Sequence, residues 1–273
     1  MNMDSVAALW VKSNFSFLQG ASHPEELVET AADLGIAALA LTDEMGVYGQ
    51  VRAAVAARDR GLKLQVGSSF QLSSGQRGLV WVRHRVGYAH LCRLISRVRQ
   101  RCSKGQIEFH QDDLLDLKSD GLSLGLIQGN TWKDDVLRRL SDQWSREDLF
   151  FLLSDHRRPE EVQQQLALQV LCKKYPNYRL LAANEVLYHH PQRRPLQDLI
   201  TCVRLGCTLS ELKGRQPPND EHALMSPERF RARFQAWPQA IEAGLEVADR
   251  CEFSLFDLRY VYPSEALPDG FST

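Results

Sequence analysis

Residues 8–44, ALWVKSNFSFLQGASHPEELVETAADLGIAALALTDE, decide how this chain folds. The apolar runs on either side, VAALWV (6–11) and AALALT (37–42), are continuous rather than alternating, as expected of strands buried on both faces. Between them SHPEELVETAADLG reads as a helix. Ser22 and Glu25 make a capping-box pair, Pro24 falls in the first turn, and Gly35 stops the pattern. Strand, polar loop, helix and strand in that order predict a parallel α/β arrangement. In such folds the loop after a strand is where chemistry gathers. Yet the first strand ends in Trp10, Val11 and Lys12, none of which ligates a metal under ordinary conditions.

The same rhythm continues outward. Further strand candidates are LKLQVG (62–67), GLVWVR (78–83), LSLGLI (122–127), DLFFLL (148–153) and YRLLAA (178–183). Helical patterns lie at 47–61, stopped by Gly61, and at 87–101, with Leu91, Leu94, Ile95 and Val98 on one face. Another, at 159–175, carries Val162, Leu166, Leu168 and Val170 as a broader stripe. Seven alternations without a long polar linker predict an α/β fold, either a parallel barrel or a doubly wound sheet, over residues 1–191. After Pro195 the pattern turns helical, giving an expected extension over 192–273. Ser226–Pro227 starts one helix, Pro238 splits it, and the proline-rich stretch 259–273 reads as a linker to further protein. Phe230, Phe234, Trp237 and Ile241 recur at near-helical spacing in this extension and predict an apolar strip left uncovered.

Bulk properties narrow the function classes. The chain has 273 residues, 44% apolar and 25% charged, as in ordinary globular proteins. A net charge of −1 leaves no global field to recruit nucleic acid. No apolar run is long enough for a membrane span, and no signal-peptide pattern stands at Met1. Six cysteines without a C-x-x-C pair predict reduced thiols and a cytoplasmic location.

The strand ends collect polar residues: Lys12; Asp43 and Glu44; Ser68 and Ser69; Arg83 and His84; Ser154, Asp155 and His156; Asn184 and Glu185, with His189 and His190 beyond. A di- or trinuclear hydrolase wants several His and Asp/Glu ligands converging around an open water position. Here the first strand supplies none and the third only hydroxyls. Asp43–Glu44 reads either as relic ligands or as a helix-start charge pair favoured by the dipole. His156 and His189 read as ligands or as loop histidines. The run 83–104 holds Arg83, Arg85, Arg93, Arg97, Arg99, Arg101 and Lys104 with no acid between them. It reads as the solvated face of a helix or as a basic patch for phosphate or an acidic neighbour.

Residues 12–53 resemble the start of the PHP (polymerase and histidinol phosphatase) domain of bacterial C-family DNA polymerases, nearest to the error-prone ImuC type. The resemblance continues through 87–101, YHHPQRRPLQDLITCVRLGCTL (188–209), SPERFRARF (226–234) and ADRCEFSLFDLRYVYP (248–263). It implies a distorted (β/α)7 TIM-like barrel with a C-terminal helical extension. It also marks departures. Metal-binding members carry His-x-His where this chain has Trp10-Val11-Lys12, Glu where it has Ser69, and Asp-x-His where it has Glu185-Val186-Leu187. Asp43, Glu44, His156, Glu185 and His189 keep or approach the ligand pattern. The resemblance therefore implies a degenerate domain with no catalytic residue and no metal or cofactor of its own. It would be a scaffold in an error-prone, DNA-directed DNA polymerase used in damage-induced translesion synthesis. Mg2+ would belong to the parent's palm domain, ImuB-like and sliding-clamp proteins would be partners, and DNA would be reached through the parent. Two alternatives stand beside this reading: an active metal-dependent PHP phosphoesterase or 3′–5′ proofreading exonuclease, and a stand-alone interaction module. Loss of a metal would leave Asp43, Glu44 and Glu185 repelling one another, so Lys12 is expected within salt-bridge distance of at least one of them.

Overall fold

A computed structural model describes residues 5–103, 105–129 and 132–259. Seven strands hydrogen-bond side by side in chain order: β1 (Ala7–Val11), β2 (Ala38–Leu41), β3 (Lys63–Gln71), β4 (Arg77–Val82), β5 (Leu122–Ile127), β6 (Leu149–Leu153) and β7 (Arg179–Ala182). The helices between them are α1 (Pro24–Asp33), α2 (Gln50–Arg60), α3 (Arg85–Arg101), α4 (Gln111–Leu115), α5 (Asp134–Gln143) and α6 (Pro159–Lys174). After β7 come α7 (Arg194–Leu205), α8 (Pro227–Arg233) and α9 (Pro238–Arg250). The sheet curls until the segment beyond β7 returns to β1. There the Lys12 amide donates to the Val186 carbonyl at 2.9 Å and the Val186 amide donates to that of Trp10 at 2.9 Å. This is a distorted, TIM-like α/β barrel.

Strand direction departs from an all-parallel barrel at one place. β4 runs antiparallel to both β3 and β5. Only five residues, Leu72 to Gln76, separate β3 from β4, and they close a hairpin through Leu72 N–H to Gln76 O at 2.7 Å. A parallel crossover needs about a dozen residues or more. The reversal moves Arg83 and His84 to the far end of the barrel and brings Arg77 to the mouth in their place.

Both faces of the strands are buried, as their continuous apolar runs require. Leu39 and Leu41 join an outer cluster with Leu27, Val28 and Ala31 of α1 and Ala53 and Ala57 of α2. Ala38 and Ala40, one residue out of phase, join an inner cluster with Leu9, Leu79, Trp81, Phe150 and Leu152. Trp81 satisfies its indole by donating to the Leu9 carbonyl at 2.8 Å and sits edge-on to Phe150. α9 presses Ala243, Val247 and Ala248 into the same inner cluster, against β1 and β7. Small side chains on α9 allow that close approach.

Three local expectations are corrected. The cap of α1 lies one residue later than Ser22–Glu25: His23 is the N-cap, and Glu26 reaches back to its amide at 2.9 Å. Phe230, Phe234 and Ile241 are buried in the outer cluster and Trp237 packs against it, so they leave no open strip. The α6 stripe is split, with Leu168 buried while Val162, Leu166 and Val170 face outward at 60%, 58% and 65% exposure. The proline-rich stretch 260–273 lies outside the described residues.

One glycine is fixed by close approach. A Cβ on Gly87 would stand 1.9 Å from the Gly121 carbonyl oxygen, which already accepts from the Arg83 and His84 amides. Gly87→Ala should cost about 1–3 kcal/mol through overpacking, read from the urea midpoint. Gly129→Ala, where a Cβ meets nothing within 4 Å, should stay within about 0.5 kcal/mol of the parent.

Candidate functional site

The loop after β1 turns the Lys12 side chain into the barrel mouth, where it is 4% exposed. Its ammonium lies 3.0 Å from Glu44 Oε2 and 3.2 Å from Glu185 Oε1, and it donates to Gln19 Oε1 at 2.9 Å. An ammonium has three N–H donors, and each finds an oxygen from a different segment: the β1–α1 loop, the end of β2 and the end of β7. Burial opposes the charged lysine, but Glu185 and Glu44 outweigh it and raise its pKa. Burial likewise opposes ionisation of Glu185, but Lys12, then Arg77, hold it well below the usual carboxylate range. Arg77 Nη1 stands 3.6 Å from Glu185 and its guanidinium lies over the Trp10 ring at 5.5 Å. Ser69 Oγ donates to Glu44 Oε2 at 3.2 Å.

Asp43 is buried beside this group but turned away from it. It accepts from Ser13 N and Oγ at 2.8 Å each and from Ser16 Oγ at 2.6 Å. Burial raises its pKa against those hydrogen bonds. Asp43 thus ties down the β1–α1 loop and leaves Lys12 to Glu44 and Glu185.

Two histidines line the other flank. His156 pairs with Glu161 at 2.9 Å, stacks on His222 with ring centroids 4.3 Å apart, and places Nε2 3.3 Å from the Glu185 carbonyl. His222 Nδ1 lies 2.9 Å from that carbonyl, while Arg158 donates to its Nε2 at 2.6 Å. An arginine donor on Nε2 requires the other nitrogen to carry the proton, so His222 is neutral. Burial first, then the neighbouring His156 ring, push its pKa down to about 3.

Of the residues singled out from sequence, Trp10, Lys12, Glu44, Ser69, His156 and Glu185 converge here, and Leu187 lines the same cavity of about 870 Å3. His189 sits elsewhere, bonded to Ser22 beside Glu26 at the start of α1. The basic run scatters. Arg83 bridges to Asp148, Arg97 and Arg101 to Asp113, and Arg99 donates to the Met45 carbonyl. Arg85 and Arg93 are exposed, and Lys104 lies outside the described residues. Arg77, Gln19, Arg158 and His222 escaped the sequence reading. The short Ser73-Ser74-Gly75 turn before Arg77 was the available signal for the hairpin that places it.

Left-handed backbone concentrates around the mouth. Leu18, Met45 and Arg157, the non-glycine residues with positive φ among the described residues, all sit in loops after β1, β2 and β6. Each costs on the order of 1–3 kcal/mol, and such residues cluster at functional sites. The loops keep that geometry, yet the donor set does not suit a metal ion. The free carboxylates, Glu44 and Glu185, both hold the same ammonium, and a divalent cation between them would meet that charge at contact distance. Among the described residues no group of three His, Cys, Asp or Glu side chains is arranged to hold one.

Two measurements follow from this geometry. Lys12→Met should lose about 3 kcal/mol of stability in urea unfolding, because two largely buried carboxylates lose the cation they share and only Glu185 keeps a second one, Arg77. Adding Glu44→Gln and Glu185→Gln should restore most of it. For His222, the unfolded chain takes up a proton near pH 6.5 and the folded chain only near 3. Stability should therefore rise with pH across that window, by up to about 1.4 kcal/mol per pH unit, and the contribution is complete above it. His222→Gln should flatten the profile between pH 4.5 and 6.5 relative to the parent.

Residues 9–143 match the family described as PHP domain. An error-prone DNA polymerase of Vibrio vulnificus (strain CMCP6) is 38% identical over 268 residues, covering 97% of this chain and 26% of that protein. An error-prone DNA polymerase of Methylococcus capsulatus (strain Bath) is 39% identical over 272 residues, covering 97% and 25%. The chain thus spans about a quarter of the length of these curated relatives. A solved structure from Bifidobacterium adolescentis, assigned as a metal-dependent phosphoesterase, superposes with a TM-score of 0.52 at 13% identity, over 66% of this chain and 87% of that one. At that identity the likeness concerns the fold alone. Residues 9–143 thus belong to the PHP domain family, and nearly the whole chain is similar to a quarter of the length of the error-prone DNA polymerases.

Proposed function

We propose that this PHP domain carries no hydrolytic chemistry and serves as a structural part of a longer error-prone DNA polymerase. The observation that carries the proposal is the Lys12 ammonium, held by Glu44, Glu185 and Gln19 where three segments meet at the barrel mouth. A fixed cation there does the electrostatic work of a metal ion without its Lewis acidity, water activation or open coordination position. It neutralises converging carboxylates and binds the ends of β2 and β7 to the β1–α1 loop. A hydrolase would need an exchangeable site at this place. A scaffold needs only the bond.

The parent's activity follows from its relatives under this reading. Nucleotidyl transfer onto DNA, in damage-induced translesion synthesis, would take place with Mg2+ in a domain outside this chain. ImuB-like and sliding-clamp partners, DNA contact and a cytoplasmic location would belong to the parent. Among the described residues, no helix is long and apolar enough to cross a membrane.

The test is metal and activity together. After purification from medium containing zinc and manganese, elemental analysis should find no stoichiometric metal. The chain should hydrolyse neither a 3′ DNA end nor a phosphomonoester. One or more tightly held metals per chain, or nuclease activity abolished by Asp43→Ala, would overturn the proposal in favour of a working phosphoesterase or exonuclease. In the full-length polymerase, Lys12→Met should lower the melting temperature yet leave the polymerisation rate unchanged well below it.

A further inference from the structure

The end of α7 holds a pair of thiols that the barrel mouth does not use. Gly206, with φ +61°, closes the helix in a left-handed cap. Its amide donates to the Val203 carbonyl at 3.4 Å, and the Cys207 amide donates to the Cys202 carbonyl at 3.1 Å. That is the paired bonding of a Schellman motif, in which the side chains of the residues corresponding to Cys202 and Cys207 meet across the turn. Both cysteines line the same surface pocket at this end of the helix. Cys207 is held from the other side as well, because the next residue, Thr208, starts a turn in which its amide and hydroxyl donate to Glu211 at 2.8 and 2.9 Å. Cys202 is buried and Cys207 half-buried, while residues 203–206 and 208–211 are exposed, so a small oxidant can reach the pair. The remaining cysteines, Cys92, Cys102, Cys172 and Cys251, sit on other elements.

We propose that Cys202 and Cys207 form a peroxide-oxidisable dithiol that closes to a disulfide across the cap of α7. Cys207, the more exposed, is attacked first. Its thiolate sulfur takes one oxygen of hydrogen peroxide as the O–O bond breaks, and the other oxygen leaves as hydroxide and becomes water. The product is a Cys207 sulfenic acid. The Cys202 sulfur then attacks the sulfenic sulfur, the S–S bond forms, the S–O bond breaks, and the thiol proton departs with the oxygen as a second water. Two thiols are oxidised by two electrons and one peroxide is reduced to two waters. Burial and the neighbouring Cys207 thiol raise the pKa of Cys202, which disfavours it for the first attack on peroxide.

The cross-link has a mechanical consequence. α7 contributes Arg194, Gln197 and Arg204 to the wall of the mouth cavity, and the chain beyond the cap returns to line it at Gly214 to Pro218. A disulfide between residues 202 and 207 pins the point where the helix hands over to that segment. Oxidation thereby stiffens the cavity wall, and a dithiol reductant releases it.

The proposal can be tested on the chain as it stands. The reduced, folded protein is exposed to a small excess of hydrogen peroxide, trapped with N-ethylmaleimide and digested with trypsin, which cuts after Arg204. The expected product is peptide 194–204 linked to peptide 205–213, formed severalfold faster than any other cysteine pair and removed by dithiothreitol. In Cys202→Ser, Cys207 should stop at the sulfenic acid and be captured by dimedone. Gly206→Val disfavours the left-handed cap while keeping both thiols, and should slow the link severalfold with the far-UV spectrum unchanged. Overoxidation of Cys207 to sulfinic acid without the linked peptides, other cysteine pairs forming at the same rate, or an unchanged rate in Gly206→Val would each overturn it.

Discussion

The barrel mouth depends on one buried charge. Strands of a parallel sheet end with side chains pointing into a common space, and here two of those ends carry glutamates. Left alone, Glu44 and Glu185 would repel each other in a site shielded from water. The Lys12 ammonium stands between them and spends its third proton on Gln19. The interaction is mutual: the carboxylates keep the lysine charged despite burial, and the lysine and Arg77 keep Glu185 ionised. Nearby contacts are arranged around that settlement. Ser69 and Trp10, at positions where metal-binding relatives are expected to present ligands, instead donate to Glu44 and carry the Arg77 guanidinium.

Charge compensation of this kind requires cations to arrive from more than one strand, and the hairpin between β3 and β4 supplies the second. Reversal of β4 sends its first residue, Arg77, to the mouth and its last neighbour, Arg83, to the opposite end. There Arg83 meets Asp148, which also binds Arg250 after α9 has crossed the inner cluster. The two ends of β4 thus serve different purposes, one electrostatic at the mouth and one joining the barrel to its last helix. α9 is buried among Leu9, Trp81 and Leu181, and the likeness to the polymerases extends past residue 143 to nearly the whole chain.

The strained loops surround the same charge. Left-handed Leu18, Met45 and Arg157 hold a costly backbone path around the mouth. Asp43, with its three serine-loop hydrogen bonds, anchors that path from below.

Much of this was legible in the linear chain. Continuous apolar runs separated by capped helices determined an α/β fold, because strands covered on both faces have no alternating pattern to show, and the family resemblance chose a barrel over a doubly wound sheet. The resemblance marked Trp10, Lys12, Ser69 and Leu187 as departures from a metal-ligand pattern, since none of those side chains replaces a histidine or glutamate as a ligand. The expectation that Lys12 meets at least one of Asp43, Glu44 and Glu185 followed from its place in the resemblance and from the repulsion between close carboxylates. Tertiary structure decided the rest. Which glutamates Lys12 meets depends on where strand ends converge, and Asp43, the nearest acid in sequence to Glu44, faces serines instead. Arg77 reaches the mouth only because a five-residue turn cannot span a parallel crossover. His222 joins His156 from 66 residues away because α7 and the segment after it fold back over the rim. Spacing along a chain carries local periodicity and turn chemistry. It does not carry the direction of a strand or the company a charge keeps once the sheet has closed.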